Sequence, residues 1–472
     1  MRRTKIVCTL GPNCQDEQTL EKMIRNGMNV ARLNFSHQEH SFHKQNIETL
    51  KSIRNRLQIP LAIMLDTKGP EIRTGKIKDG TVLEAGSKFI LTAKQLIGDS
   101  KICSVSLPSL YKNLASGDKI LIDDGKIMLS VSEISDTDII CTVITGGMLG
   151  STRGINIPSV DIDMPFLSEK DCDDLLFGIE NDIDIVAASF VRSAEDVRVM
   201  RDFLWKNGGE SIKIIAKIES LSGIENFEKI LAAADGIMVA RGDMGVELPY
   251  ELLPGIQKRL ISQSFRSGKT VITATQMLES MIDNSTPTRA EISDVANAVF
   301  DSSSAVMLSG ETAIGIDPPK VVSVMSKICE RAETDAFKMN MYKNLGSYIE
   351  QTSRTNAICD ATTAAAADIN ADAIIAVTKD GETARLMSKY RPEIPIIGAT
   401  NSEKTYRQLS LNWGVTPLLT ETQNSTDRLF RHIVERAKSV GLLRRGNRAV
   451  ITAGMPLGVS GSTNTLKIIT VE

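Results

Sequence analysis

The chain has 472 residues, 42% hydrophobic and 24% charged, an ordinary globular composition and too long for one compact core. With 55 Lys plus Arg against 58 Asp plus Glu, a formal net charge of -3, no global charge draws it to nucleic acid or to an anionic membrane, so its partners are expected to be small molecules. Its seven cysteines show no C-x-x-C spacing, its N-terminus lacks the apolar stretch of a signal peptide, and no run reaches membrane-spanning length; a cytoplasmic protein is expected.

Through the first two thirds, β-like runs alternate with helix-like runs: KIVCTLG, MNVARLNFS, LAIMLDTKG, DIVAASFV, IKIIAKIES, GIMVARGDMG, TVITATQML and AVMLSGETA. About eight parallel strands with crossover helices close an α/β barrel of the (β/α)8 TIM type, expected over residues 1–70 and 161–340. After DTKGPEIRTG the text turns to short β runs with Gly and Asp turns, including GDKILIDDGKIMLSVSEI, whose DDG reads as a hairpin connection. Residues 71–160 are therefore expected to form a small inserted β-barrel domain, overhanging the rim as a lid. From 341 to 472 a second alternation is expected to build a C-terminal α/β domain: TNAICDATTAAAADIN, ADAIIAVT, ETARLMSKY, PIIGAT, STDRLFRHIVERAKSVGLL, NRAVITAG and LKIITVE.

Polar residues recur where the barrel strands end: Arg32 and Asn34, Asp66 and Lys68, Lys217 and Glu219, Arg241 and Asp243, Thr275 and Gln276, Ser309 and Glu311. In this architecture those ends meet on one rim, where active sites lie. Lys217 and Glu219 stand at i and i+2, on one face of their strand. They form either a plain ion pair or a grip on something between them.

Glu219 and Asp243, ending adjacent strands, are placed to share a hard cation such as Mg²⁺, which one or two carboxylates hold while water and substrate oxygens complete the octahedron. The bland alternative is a salt-bridged rim. Lys217 beside a bound divalent ion would add fixed positive charge where an intermediate turns negative. Gly242 and Gly245 read as a turn before a helix, with free N–H groups suited to a carboxylate or phosphate, and Arg32 offers a planar cation for phosphate. Asn34, Ser36, Asp66 and Thr67 pair one carboxylate with neutral oxygens, which suits a monovalent cation as well as it suits turn capping. His37, His40 and His43, at i, i+3 and i+6, drift round a helix and read as a solvated helix start rather than a zinc site.

TKIVCTLGP, MNVARLNFSH, LDTKGPEIRTG, IKIIAKIESLSGI, DGIMVARGDMGVE, TATQMLESM, PTRAEISDVANAV and MLSGETA, in this order, resemble the pyruvate kinase family along the whole chain. The resemblance implies phosphoryl transfer from phosphoenolpyruvate to ADP, giving ATP and pyruvate. It implies that Arg32 meets the transferring phosphoryl group, that Lys217 stabilises it and the enolate oxygen, and that Glu219 and Asp243 ligate Mg²⁺ or Mn²⁺. Gly242, Asp243 and Thr275 would hold the substrate carboxylate, Thr275 near the route of proton delivery. Asn34, Ser36, Asp66 and Thr67 would ligate K⁺, and Glu71 marks the K⁺-dependent type.

The nucleotide would meet Asn34, His37, Arg73 and Arg153, the last standing where lysine is frequent. A C-terminal effector site is implied at TKDGET, with Thr378 and Thr383, and GVSGSTNT as its other wall. Asp380 and Glu382 place negative charge there, so fructose 1,6-bisphosphate is expected to be a poor activator and AMP or a sugar monophosphate a better one. A homotetramer is implied, and no additional C-terminal domain is expected after LKIITVE. Two other readings stay open: a metal-dependent aldolase or lyase acting on a pyruvate enolate, and a non-catalytic metabolite sensor.

Overall fold

The computed structural model describes residues 2–158, 160, 162–342, 353–456, 461 and 463–472. Eight strands close a parallel barrel in which each pairs with its sequence neighbour and the last with the first: β1 (Lys5–Thr9), β2 (Val30–Asn34), β3 (Ala62–Asp66), β4 (Ile185–Ala188), β5 (Lys213–Ile218), β6 (Gly236–Ala240), β7 (Thr270–Ala274) and β8 (Ala305–Leu308). These are the eight runs expected from the sequence. Their side chains divide by parity, as a period of two requires. Val7, Val30, Met64, Ala187, Ile215, Met238, Ile272 and Met307 fill the interior, whereas Ile6, Ala31, Leu65, Val186, Ile214, Ile237, Val271 and Val306 face the surrounding helices.

That parity sends Arg32, Asp66 and Lys217 inward, two residues beyond Val30, Met64 and Ile215. Several crossover helices start where a hydroxyl and a carboxylate stand three apart: Ser168 with Asp171, Ser193 with Asp196 and Thr288 with Glu291 form capping boxes.

The insertion folds on its own core, which includes Ile72, Phe89, Leu129, Cys141 and Ile155. Its seven-stranded sheet runs from Ile72–Arg73 at one edge to Ile102–Ser104 at the other, and a bridge between Thr74 and Val105 joins the edges. The DDG segment does connect the antiparallel pair Lys119–Ile122 and Ile127–Ser135; Asp123, Asp124 and Gly125 take positive φ there.

The C-terminal unit has a five-stranded sheet: β9 (Ala373–Val377), β10 (Ile396–Thr400), β11 (Val415–Leu419), β12 (Arg448–Gly454) and β13 (Thr463–Thr470), in the order β11-β10-β9-β12-β13 with only β13 antiparallel. The sequence reading omitted β11 and the helix Glu403–Gln408 before it. Pro417 speaks against a strand, and the sheet accommodates it by putting β11 on an edge. This domain closes the barrel floor: Leu411 packs into the interior cluster and Lys5 Nζ donates to Val415 O at 2.7 Å. Among the described residues no helix is long and apolar enough to cross a membrane.

Candidate active site

At the carboxyl end of the barrel, β2 and β3 lie in register with Asn34 opposite Asp66. Arg32 Nε donates to Asp66 Oδ2 at 2.7 Å and its Nη1 to the Thr9 hydroxyl at 2.8 Å. Lys217 Nζ lies 3.0 Å from Asp66 Oδ1 and 3.0 Å from Glu219 Oε1, and donates to the Ser189 hydroxyl at 2.7 Å. Lys217 is thus not paired with Glu219 alone. It is shared between two carboxylates brought in by different strands.

Asp66 is fully enclosed, and burial alone would raise its pKa; Arg32 and Lys217 outweigh that and hold it below the ordinary carboxylate range. Burial likewise disfavours the charge on Lys217, but Asp66 and Glu219 hold the amine above its usual value. Glu219 fares differently. Burial pushes it up to about 7; Lys217 opposes this, while Asp243 and Asp66 add to it. Asp66, Glu219 and Asp243 therefore face Arg32 and Lys217, and the shortfall of positive charge is felt at the buried Glu219.

Glu219 Oε2 accepts the Phe190 N–H at 2.6 Å, whereas Oε1, buried and ion-paired to Lys217, takes part in no hydrogen bond. A buried carboxylate oxygen with spare lone pairs, beside a second carboxylate whose charge reaches it, fits a divalent cation. Among the described residues no group of three or more His, Cys, Asp or Glu forms a protein-only metal cage. A pair that leaves most coordination positions to substrate and water is what Mg²⁺ uses.

Asp243 lies in the first turn of a helix, Arg241–Glu247, that starts directly after β6. The expected turn at Gly242 and Gly245 is therefore corrected: both glycines are helical, because the chain leaves the strand at Ala240 and enters the helix without a linker. The Gly242 N–H donates to Thr275 Oγ1 at 2.9 Å, which brings the ends of β6 and β7 together.

In the candidate K⁺ set, Asn34 Oδ1 accepts the Ser36 N–H at 3.1 Å and Thr67 Oγ1 accepts the Ser189 N–H at 3.1 Å, around the buried Asp66. Sequence reasoning missed Ser189. Its hydroxyl, 2.6 Å from Thr67 O and 3.1 Å from Asp66 Oδ1, ties this cluster to Lys217. The available signal was its inward parity, two residues beyond Ala187.

The inserted β domain meets the rim. A cavity of about 130 Å³ runs between Glu71, Asp124 and Asn156 on one side and Phe190, Asp243 and Glu247 on the other. Arg73 is held by Glu71 through Nε and Nη2, each at 2.8 Å, and donates to Thr152 O at 2.9 Å. Arg153, half exposed, lies 3.3 Å from Asp123.

His37 is exposed; His40 lies 2.6 Å from Asp174, and His43 stacks on Phe35 with its Nε2 3.0 Å from His37 O. These contacts give the last two histidines packing roles.

In the C-terminal domain, Thr378, Asp380, Thr383, Asn401, Glu421 and Thr463 line a cavity of about 470 Å³. Thr383 and Thr463 share a hydroxyl hydrogen bond of 2.7 Å, and Thr378 Oγ1 accepts the Gly381 N–H at 3.0 Å. Glu382, expected to add charge there, lies between this cavity and a second one under the barrel floor, which it lines. In GVSGSTNT, residues 458–460 and 462 lie outside the described residues, while Gly461 and Thr463 line the cavity.

Two family models match: pyruvate kinase, barrel domain, over residues 1–322, and pyruvate kinase, alpha/beta domain, over residues 356–469. A protein of Clostridium acetobutylicum named pyruvate kinase is 46% identical over 475 residues, covering 100% of both chains. One of Staphylococcus haemolyticus with the same name is 45% identical over 99% of this chain and 80% of its own. The crystal structure of a pyruvate kinase from Cryptosporidium parvum superposes with a TM-score of 0.94 at 39% identity, covering 100% of this chain and 96% of that one. With the barrel, the inserted β domain and the C-terminal α/β domain all in place, this chain belongs to the pyruvate kinase family of phosphotransferases.

Proposed function

We propose that the rim transfers the phosphoryl group of phosphoenolpyruvate to ADP, and that the resulting enolate is protonated to pyruvate. The observation that carries this reading is the shared Lys217 ammonium beside a buried carboxylate with an oxygen to spare. Phosphoryl transfer needs positioning and charge neutralisation more than covalent help from the protein, and this rim is built to supply both.

Arg32, anchored by Asp66 and Thr9, presents its remaining donors to the phosphoryl oxygens. Lys217 is locked in place by three oxygens, so its charge needs no reorganisation as negative charge grows on the enolate oxygen. Glu219 and Asp243 would hold Mg²⁺ or Mn²⁺, which when bound neutralises phosphate charge and aligns substrate oxygens. The start of the helix at Gly242 and Asp243, with Thr275, would take the substrate carboxylate, the Thr275 hydroxyl turning from the Gly242 N–H toward the ligand.

The P–O bond to the enol oxygen breaks as one to the terminal ADP oxygen forms, and the electron pair left on the enolate then takes a proton at the methylene carbon. Asn34, Ser36, Asp66 and Thr67 would hold K⁺, with Asn34, His37, Arg73 and Arg153 toward the nucleotide. The lid cavity supports exclusion of water from the transfer. We further read the chain as a homotetramer with a phosphometabolite site at Thr378 and Thr383. Sedimentation at four times the chain mass is expected.

The test is a coupled assay of ATP formation from phosphoenolpyruvate and ADP, with Mg²⁺ and K⁺ varied independently, on wild type and Lys217→Met. Turnover by wild type and a loss of about 10²–10³-fold or more in kcat for the variant, with a smaller change in KM, are expected. No ATP from wild type, or an unimpaired variant, defeats the reading.

A further inference from the structure

We infer that Arg241 is a positioning residue for Thr275: its guanidinium holds the Thr275 main chain in the conformation that aims the hydroxyl at the reacting end of the site. This rests on the reading of Thr275 given above. Thr275 and Gln276 follow β7 with φ of 65° and 54°, two successive non-glycine residues in the left-handed region, the first of them β-branched. Such backbone is disfavoured and persists only where its surroundings hold it.

Arg241 supplies that hold. It is 7% exposed, and its Nε lies 3.2 Å from both Ala274 O and Thr275 O, while Nη2 donates to Thr275 O and lies 2.9 Å from Met277 Sδ. Nη1 is anchored from behind by Asp294 Oδ2 at 2.6 Å, on the helix Arg289–Phe300, and approaches Gln257 at 3.5 Å. The next residue, Gly242, gives its N–H to the Thr275 hydroxyl. Consecutive residues of one helix start therefore grip Thr275 by its carbonyl and by its side chain.

Farther along the loop, Glu311 accepts the Leu278 N–H at 3.1 Å and the Ser309 N–H at 2.6 Å, so the turn is clamped at both ends. Arg241 is paired with Asp294, which cancels most of its charge within the protein. What it contributes is a planar fork with several donors at fixed angles, which the single ammonium of lysine cannot reproduce.

The test compares Arg241→Lys, Asp294→Asn, Thr275→Ala and the double variants with Thr275→Ala, reading kcat and the KM for phosphoenolpyruvate, with thermal melting as a check on folding. Arg241→Lys is expected to lose about a hundredfold in kcat, the scale of a misplaced reacting geometry, with much less change in KM. Asp294→Asn, at a partly exposed position, leaves the fork in place and only loosens its anchor, so a smaller loss in the same direction is expected.

In the Thr275→Ala background neither change lowers kcat further, because the group being aimed has gone. Wild-type kcat in both single variants, or losses that multiply with that of Thr275→Ala, overturns the inference. Should Thr275→Ala alone be impaired while Arg241→Lys and Asp294→Asn are not, the inference fails and the site reading stands. Should Thr275→Ala keep full activity, the reading of Thr275 fails and the inference falls with it.

Discussion

Arg407, on the helix before β11, closes a 2.7 Å ion pair with Asp184, a fully buried carboxylate just ahead of β4 on the floor of the barrel. The same guanidinium reaches Asp182 at 2.8 Å, and Asp184 Oδ2 accepts the Ile63 N–H at 2.9 Å. Burial raises the Asp184 pKa although Arg407 and Lys404 oppose it, so the pair relies on both partners being present. Arg407→Ala is expected to cost about 1.5–3 kcal/mol, since it removes the short charged hydrogen bond and leaves Asp184 only the more distant Arg54 at 3.7 Å and Lys404 at 3.9 Å. Asp184→Asn costs less, because the amide oxygen still accepts the Ile63 N–H. Denaturant unfolding that shows Arg407→Ala within error of wild type contradicts this account of the domain contact.

The charge surplus on Glu219 predicts coupled proton and metal binding. In metal-free protein its pKa is about 7 against an ordinary 4.5. A folded-state value above the unfolded one means that the stability contributed by this group is complete below the unfolded pKa and is lost as the pH rises through 7. A divalent ion needs the carboxylate, so its affinity rises with pH across this window and each ion bound releases protons at about pH 6–7. Calorimetric titration with Mn²⁺ in buffers of different ionisation heat reads that release, and Glu219→Gln should abolish it. Equal heats in all buffers with an unchanged affinity refute the argument.

Potassium dependence is expected on the proposed reading of the site, with Asp66 as the one carboxylate among neutral oxygens and Glu71, which holds Arg73, bringing no positive charge of its own. Activity is expected to fall severalfold or more when K⁺ is replaced by Na⁺ or Tris. Full turnover in a Tris-only buffer rules out the requirement. With Glu71→Lys the side-chain ammonium is expected to supply part of the missing charge, so the variant should respond to K⁺ less than wild type does.

The C-terminal cavity carries Asp380 and Glu421 among its lining groups. Carboxylates facing phosphate weaken binding, and a ligand with two phosphates suffers more than a ligand with one. Titrations read as the half-saturating phosphoenolpyruvate concentration should therefore show AMP or a sugar monophosphate outperforming fructose 1,6-bisphosphate. Strong activation by the bisphosphate at about micromolar concentration reverses the ranking and the charge argument with it.

Much of this protein is legible without coordinates because strands repeat with a period of two. Val30 and Arg32, Met64 and Asp66, and Ile215 and Lys217 declare by spacing alone which side chains share the barrel interior, and the polar residues at the strand ends mark the rim. Parity does not say how charges are divided among partners more than a hundred residues apart. Closure of the barrel gave Asp66 both Arg32 and Lys217, left Glu219 short of a counter-charge, and inserted Ser189 between clusters that the text shows as separate.

Tertiary structure also decided what local signals argued against. Pro417 is accommodated in a strand where β11 has a free edge, and Thr275 takes a left-handed conformation where Arg241 contacts its carbonyl from the neighbouring strand end. Spacing along a chain reports which face a residue occupies; which charge compensates it, and which strained conformation is held, depends on neighbours supplied by other strands.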